Sequence, residues 1–136
     1  MHTLARPTLM TAVLAAAALA AGCAAPPPPA PPPTGLSEVM ERPAERSLLE
    51  GIRAYDDGQY AQAEKALRKA LADGLQSARD RATAHKLLAF ITCTSNRLAA
   101  CETQFREARA ADAAFALSRS ESGHPVWGPV YRSVTQ

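Results

Sequence analysis

The residues best able to do chemistry are two cysteines and two histidines in the second half of the chain. Cys93 and Cys101 have seven residues between them, a spacing that lacks the C-x-x-C arrangement found where a thiol pKa is lowered for exchange chemistry. Such a pair is typical of a structural disulfide or of two buried free thiols. His85 and His124 lie far apart in the sequence, whereas zinc ligands usually come in close pairs, so we expect no metal site.

Other signatures of catalysis are missing from the sequence. The chain contains no G-x-S-x-G, H-E-x-x-H or phosphate-loop motif, and Asp56-Asp57 has the composition of a turn rather than of an acid–base pair. Residues 1–22 include Arg6 and no acid, so 14 Lys and Arg face 13 Asp and Glu in the remainder, without a basic stripe. We therefore expect a protein that is not an enzyme, has no cofactor and does not bind nucleic acid.

The first 22 residues are typical of a cleaved export signal. Arg6 provides a short basic start, and residues 9–21 form an uncharged, largely apolar run, shorter than the about 20 residues of a membrane-spanning helix. The run ends in Ala-Gly-Cys at Cys23, which resembles the lipobox of bacterial lipoproteins. This resemblance implies cleavage before Cys23, acylation of that residue and, with Ala24 next, an outer-membrane location facing the periplasm. The alternative is an ordinary secretory signal that contains a cysteine.

A proline-rich linker follows the proposed lipid anchor. Residues 26–33 contain seven prolines in eight positions. Such a run favours polyproline II, which rises about 3.1 Å per residue and therefore spans roughly 25 Å here. We predict that residues 23–42 form a stiff stalk, and a docking site for a proline-binding module is the alternative interpretation. Residues 43–136 then form the folded domain.

The folded domain is predicted to begin with a helical hairpin. Apolar residues recur at helical spacing on both sides of a turn at Asp57-Gly58; those of the first helix are Leu48, Leu49, Ile52 and Tyr55. Gly51 and Ala63 are small enough for two antiparallel helices to approach closely, with Tyr60 wedged between them. The pattern resembles a tetratricopeptide repeat, and an unrelated helical hairpin is the alternative. The positions that match the repeat are Gly51, Gly58, Tyr60, Ala63, Leu67 and Ala70.

A second, divergent hairpin is predicted to begin after Ser77. This serine is a good N-cap, with Asp80 three residues later, and the helix should end at a turn at Ser95-Asn96. The partner helix is expected to bury Leu98, Cys101, Phe105 and Ala108. The last three of these repeat the spacing of Ala63, Leu67 and Ala70 at an offset of 38 residues. Two hairpins of four helices are therefore expected.

The second turn places the two cysteines on adjacent helices. Since periplasm favours oxidation, we expect Cys93 and Cys101 to form a disulfide. Closing this short loop should stabilise the fold by roughly 2.5 kcal/mol in the chain-entropy model. His85 is expected on a polar helix face, and the imidazole of His124 is expected to cap the terminal helix.

The C-terminal segment supplies a candidate cap for the hairpin stack. Repeat arrays expose an apolar face at each end and need a capping element. Five apolar residues fall on one face of a short terminal helix that starts near Pro129: Val126, Trp127, Val130, Tyr131 and Val134. Trp127 and Tyr131 either close the stack, which we favour, or contact a partner. The predicted fold is thus all-α, with two tetratricopeptide-like hairpins and a short C-terminal capping helix.

Three further segments carry a resemblance to a known family. HKLLAFITCTSNRLAAC, FREARAADAAFALS and ESGHPVWGPVYRSV resemble the TssQ family of periplasmic lipoproteins associated with type VI secretion. The likeness covers about residues 48–134 and is most specific at GHPVWGPVYR and the two cysteines. It implies an accessory role in the cell envelope and no catalytic residues.

These observations together predict a lipid-anchored protein-interaction module for an envelope machine, with type VI secretion as the leading candidate. The residues expected to line a partner groove are Arg53, Tyr55, Lys86 and Phe90. One alternative is a general envelope-assembly lipoprotein that serves the outer membrane, a pilus or the cell wall. The other is a thiol-exchange protein that uses Cys93 and Cys101.

Overall fold

Six α-helices account for the regular structure of the described residues. The computed structural model describes residue 35 and residues 41–136. Its helices are α1 (Pro43–Asp56), α2 (Tyr60–Ala72), α3 (Ala78–Thr94), α4 (Leu98–Ala111), α5 (Arg119–Ser122) and α6 (Trp127–Thr135). This part of the chain contains no β-strand, so the all-α prediction is confirmed. The predicted signal peptide of residues 1–22, Cys23 and the proline-rich segment lie outside the described residues.

The first hairpin joins α1 to α2 through a short turn. The N–H of Gly58 donates to the carbonyl oxygen of Tyr55 at 3.0 Å, and the N–H of Gln59 donates to that of Ala54 at 2.8 Å. This pair of hydrogen bonds is a Schellman motif, which needs one residue in the left-handed conformation. Gly58 takes that conformation with a φ of 73°, at no steric cost because it has no Cβ.

The second hairpin, α3 and α4, has the same turn. The N–H of Asn96 donates to the carbonyl oxygen of Cys93 at 3.1 Å, and the N–H of Arg97 donates to that of Thr92 at 2.8 Å. Asn96 occupies the left-handed position, with a φ of 59°, which Asn tolerates better than most residues. Asn96 and Gly58 are 38 residues apart, so the offset predicted for the helices also relates the turns.

Helix α3 lies at the centre of the fold, because it packs against α1, α2, α4 and α6. Its start follows the sequence prediction, since the Ser77 side chain accepts a hydrogen bond from the N–H of Asp80 at 3.2 Å. Leu88, Ala89 and Ile91 on this helix are buried on several sides. Because α3 has neighbours on several sides, residues on more than one of its faces are buried.

Small residues determine how closely α1 and α2 approach. A Cβ atom at Gly51 would lie 2.7 Å from Cδ2 of Leu67, so no larger residue fits without movement. With this contact in place, the buried residues of α1 are Ala44, Glu45, Ser47, Leu48, Gly51 and Ala54. Of the predicted stripe, only Leu48 is buried, and Leu49, Ile52 and Tyr55 are partly exposed. The two sets of equivalent residues in α2 and α4 are all inaccessible to solvent: Ala63, Leu67, Ala70, Cys101, Phe105 and Ala108.

Two side chains that were predicted to be buried are instead exposed. Tyr60 is 50% exposed and Leu98 is 49% exposed, so the predictions that Tyr60 wedges between helices and that Leu98 lies in the core were wrong. Each is the first residue of its helix. Helical side chains lean toward the N-terminus, and these two therefore project beyond the end of the hairpin.

The C-terminal strap, defined as residues 115–135, folds back over the second hairpin. It contains α5 and α6, and α6 packs against α3 and α4. A turn at residues 112–115 reverses the chain before it, where the N–H of Phe115 donates to the carbonyl oxygen of Asp112 at 2.9 Å. The predicted helix near Pro129 begins two residues earlier, at Trp127.

Candidate interaction surface

The two cysteines form the expected disulfide. It joins the last turn of α3 to the first turn of α4, with the Cα atoms of Cys93 and Cys101 5.1 Å apart. Cys93 is 3% exposed and Cys101 is inaccessible to solvent. A disulfide so deeply buried is suited to holding two helices together rather than to exchange with another thiol.

Trp127 lies between two other rings. Its indole stacks on Phe90 with ring centroids 4.2 Å apart, and on its other side the imidazole of His124 stacks at 3.3 Å. The indole N–H donates to the carbonyl oxygen of Glu121 at 2.9 Å. Both faces and the polar edge of the indole are therefore occupied within the chain, as the capping interpretation expects.

An ion pair holds the strap against α3. The Lys86 ammonium donates to a Glu121 carboxylate oxygen at 2.6 Å. The Ser118 N–H donates to the other carboxylate oxygen, and the Ser118 hydroxyl accepts from the Glu121 N–H, which completes a capping box around α5. Burial alone would raise the pKa of Glu121, but the bonds from Lys86 and Ser118 outweigh it and lower that pKa. The sequence S-R-S-E is the signal that reveals α5.

Tyr131 anchors the second half of the strap. Its ring meets Phe105 edge-on at 5.3 Å and Phe115 at 6.3 Å. Its hydroxyl accepts a hydrogen bond from the N–H of Leu117 at 3.3 Å. Tyr131 thus packs against the core of the second hairpin, on the same side of the molecule as Trp127.

All seven aromatic residues of the chain belong to one contact network. Tyr55 extends it to the first hairpin, with its ring 6.5 Å from Phe90 and 5.6 Å from Tyr60. Burial raises the pKa of Tyr55, and the nearby Tyr60 and acidic groups add to this effect. The network shows that Tyr55 and Phe90 mainly connect the hairpins and the strap.

The predicted partner groove is therefore largely filled by the strap. Phe90 is only 4% exposed, beneath Trp127, and Lys86 is paired with Glu121. The prediction that Phe90 lines an open groove was wrong, because sequence spacing cannot show where a distant segment folds back. Lys86 still lines a cavity next to the strap, as predicted for a groove residue. We call this covered surface, formed by Lys86, Phe90 and Phe105, the strap groove.

An open cleft lies on the first hairpin instead. It has a volume of about 360 Å³ and is lined by Arg46, Leu49, Glu50, Arg53, Ala54, Asp57, Gln59 and Gln62. Arg53 is the one predicted groove residue that lines it. We call this surface the α1–α2 cleft. A second cavity, of about 430 Å³, lies between α3 and the turn at residues 112–116 and includes Arg79 and Lys86.

A cross-hairpin ion pair was not predicted from the sequence. The guanidinium of Arg97, in the second turn, donates two hydrogen bonds to the Glu64 carboxylate of α2, at 3.0 and 2.7 Å. Arg68 donates to the same carboxylate. The bond from Arg97, with help from Arg68, lowers the pKa of Glu64 to about 2. The 33-residue separation between Glu64 and Arg97 leaves no local signal of this contact.

His85 is partly buried, and its Nδ1 donates to the amide oxygen of Gln104 on α4 at 2.8 Å. The Nδ1 atom of His124 accepts from the N–H of Val126 just before α6. Over residues 41–136, no group of three or more His, Cys, Asp or Glu side chains is placed to hold a metal ion. None of the helices described above has the length and apolar character needed to cross a membrane.

Comparison with known proteins leaves the chain without an identified relative: no protein-family model, curated protein or solved structure matches it.

Proposed function

We propose that the chain is an outer-membrane lipoprotein that presents a small helical module in the periplasm and uses it to bind a protein of an envelope machine. Type VI secretion is the first candidate machine, by the resemblance described above. The observation that carries this proposal is the disulfide between Cys93 and Cys101, which suits an oxidising compartment. The apolar leader that ends at Cys23 points to the same compartment.

Two hairpins with matching turns support the tetratricopeptide-like interpretation. Stacked hairpins of this kind present extended surfaces to other proteins. In this chain the second hairpin is covered by the strap, whereas the first leaves the α1–α2 cleft open. The cleft combines the apolar side chain of Leu49 with charged groups such as Arg53 and Glu50, a mixture suited to a polypeptide segment. We therefore place the partner at the first hairpin.

Site-specific crosslinking in cells tests this proposal. A photo-activated residue in place of Arg53 should capture a defined protein of the envelope machine. The matched control is Arg106, an exposed residue on α4 that pairs with Glu102 and does not line the cleft. Capture at position 53 but not at 106 supports the proposal. Equal capture at both positions, or none at 53, contradicts it.

The identity of the captured protein separates the candidate roles. A component of type VI secretion supports the leading candidate, whereas an outer-membrane, pilus or cell-wall assembly protein supports the general envelope role. The thiol-exchange alternative requires accessible sulfur. It predicts rapid reaction of the oxidised chain with a small dithiol probe under native conditions, and slow reaction argues against it.

A further inference from the structure

The C-terminal strap is joined to the rest of the chain by a short, partly exposed turn. The Asp112 side chain accepts a hydrogen bond from the N–H of Ala114 at 2.9 Å, and its carbonyl oxygen accepts from the N–H of Phe115. Ala113 and Ala114 are exposed. Opening this turn breaks two local hydrogen bonds, and three extended residues span about 10 Å.

The contacts between the strap and the second hairpin are specific. Glu121 pairs with Lys86, and Trp127 stacks on Phe90. Tyr131 meets Phe105. The disulfide joins α3 to α4 and does not involve the strap, so this covalent link between the two groove helices remains when the strap leaves. The groove thus has an acidic–aromatic ligand that demonstrably fits, and every copy of the chain carries that ligand.

We propose that the strap groove is an interaction surface for a second copy of this chain, which two molecules form by exchanging residues 115–135. Each groove then receives Glu121, Trp127 and Tyr131 of the other molecule. The contacts are the same in the exchanged and unexchanged forms, so the balance depends on the turn at residues 112–115 and on protein concentration. The proposal is independent of the lipid anchor and of the α1–α2 cleft.

Reversal of one ion pair across two chains tests the exchange. Lys86→Glu places two carboxylates together when the strap binds its own groove, and Glu121→Lys places two ammonium groups together. When the two variants exchange straps, both pairs become complementary. Full-length chains with these substitutions and two different tags are produced together in one cell and purified through one tag.

The two single variants should co-purify about tenfold more than either does with the wild-type chain, because like charges at an interface are strongly unfavourable. The matched control is one chain with both substitutions, Lys86→Glu and Glu121→Lys. It restores a complementary pair within one molecule and lacks the same Ser118 bond as the single variant. It should therefore not prefer either single variant.

The readout remains decisive if a single variant folds poorly alone. Recovery of soluble chain only when both variants are produced together supports exchange. Folded single variants that co-purify no more than the wild-type pairings overturn the proposal. Variants that stay insoluble both alone and together also overturn it, since exchange restores both ion pairs.

Discussion

The two hairpins share one backbone design but are locked in different ways. Their turns have the same pair of hydrogen bonds and the same left-handed position, 38 residues apart. In the first hairpin, α1 and α2 are held by the close approach of Gly51 to Leu67. In the second, a disulfide joins Cys93 to Cys101, and α6 of the strap packs against both α3 and α4.

This difference shows that a helical hairpin can repeat in geometry while its chemistry diverges. Cys93 and Cys101 occupy the positions equivalent to Tyr55 and Ala63. The packing of the first hairpin depends on the absence of a side chain at Gly51, and this packing is the same in an oxidising or a reducing compartment. The second hairpin depends on a disulfide, which requires an oxidising compartment. Through this disulfide, the stability of the fold depends on the redox state of the compartment that holds the chain.

The largest expected loss of stability comes from disrupting the close approach of Gly51 to Leu67 in the first hairpin. Gly51→Val should lower the free energy of unfolding by about 3 kcal/mol, because its side chain overlaps Leu67. Denaturant titration measures the loss. In the double variant Gly51→Val with Leu67→Ala, the overlap is relieved, so the loss should be smaller than the sum of the single losses. Additive losses would show that the contact at Gly51 does not set the helix spacing.

Removal of the disulfide in the second hairpin should cause a slightly smaller loss of stability. Replacing both Cys93 and Cys101 with alanine should lower the free energy of unfolding by about 2.5 kcal/mol, because the unfolded chain gains loop freedom. Adding a reductant to the wild-type chain should produce a similar loss, and adding it to the double variant should change nothing. An unchanged stability in the double variant would mean that the disulfide does not lock the hairpin.

The strap should contribute stability mainly through its aromatic rings, which pack on the second hairpin. Trp127→Ala should cost about 2 kcal/mol, since the indole is stacked on both faces but remains partly exposed. The neighbouring Val126 is 43% exposed, and Val126→Ala should cost less than about 0.5 kcal/mol. Thermal melting measures both. Normal stability in Trp127→Ala with lost capture of a partner would assign Trp127 to partner binding instead.

The equivalence of the turns can be tested by moving the disulfide. Cysteines at positions 55 and 63 should oxidise in the same way, because the first turn has the same backbone hydrogen bonds as the second. The net change in stability should be within about 1 kcal/mol, since loop closure offsets the lost Tyr55 ring contacts. Counting free thiols in chains that also carry Cys93→Ala and Cys101→Ala measures whether the new cysteine pair is oxidised. As a control, cysteines at positions 53 and 63 should stay reduced, because Arg53 is on an exposed side of α1.

The smallest expected effect is on the ion pair that connects the hairpins. Glu64→Gln should lower the free energy of unfolding by about 0.5 kcal/mol at neutral pH, the range of a partly exposed pair. The pKa of Glu64 is lowered from 4.5 to about 2, so its stabilising contribution is complete above pH 4.5 and lost as the pH falls through about 2. Unfolding of both chains at several pH values should show the difference shrinking over that window. A constant difference would contradict it.

Helix boundaries were predictable because local signals mark them. Asp57-Gly58, Ser77 and Ser95-Asn96 all delimit helices where the sequence indicated. The disulfide followed from the same logic, since a turn between two cysteines on antiparallel helices brings them together. The resemblance of Cys101, Phe105 and Ala108 to the first hairpin correctly identified buried positions.

The exposed sites were harder to predict because they depend on non-local packing. The rotation of α1 follows from a contact between Gly51 and Leu67, and no local pattern specifies it. Coverage of Phe90 depends on Trp127, which lies 37 positions further along the chain. The pairing of Glu64 with Arg97 likewise requires the two hairpins to be stacked first.

The mass of the intact mature chain, purified from the membranes of bacteria that make it with its leader, tests the account most directly. We predict a polypeptide that begins at Cys23, carries acyl chains on that residue, and lacks the two thiol hydrogens of Cys93 and Cys101. Such a mass would show that the same molecule, in the oxidising envelope, carries both the disulfide and the lipid anchor. A chain that retains residues 1–22, has an unmodified Cys23, or carries two free thiols would contradict it.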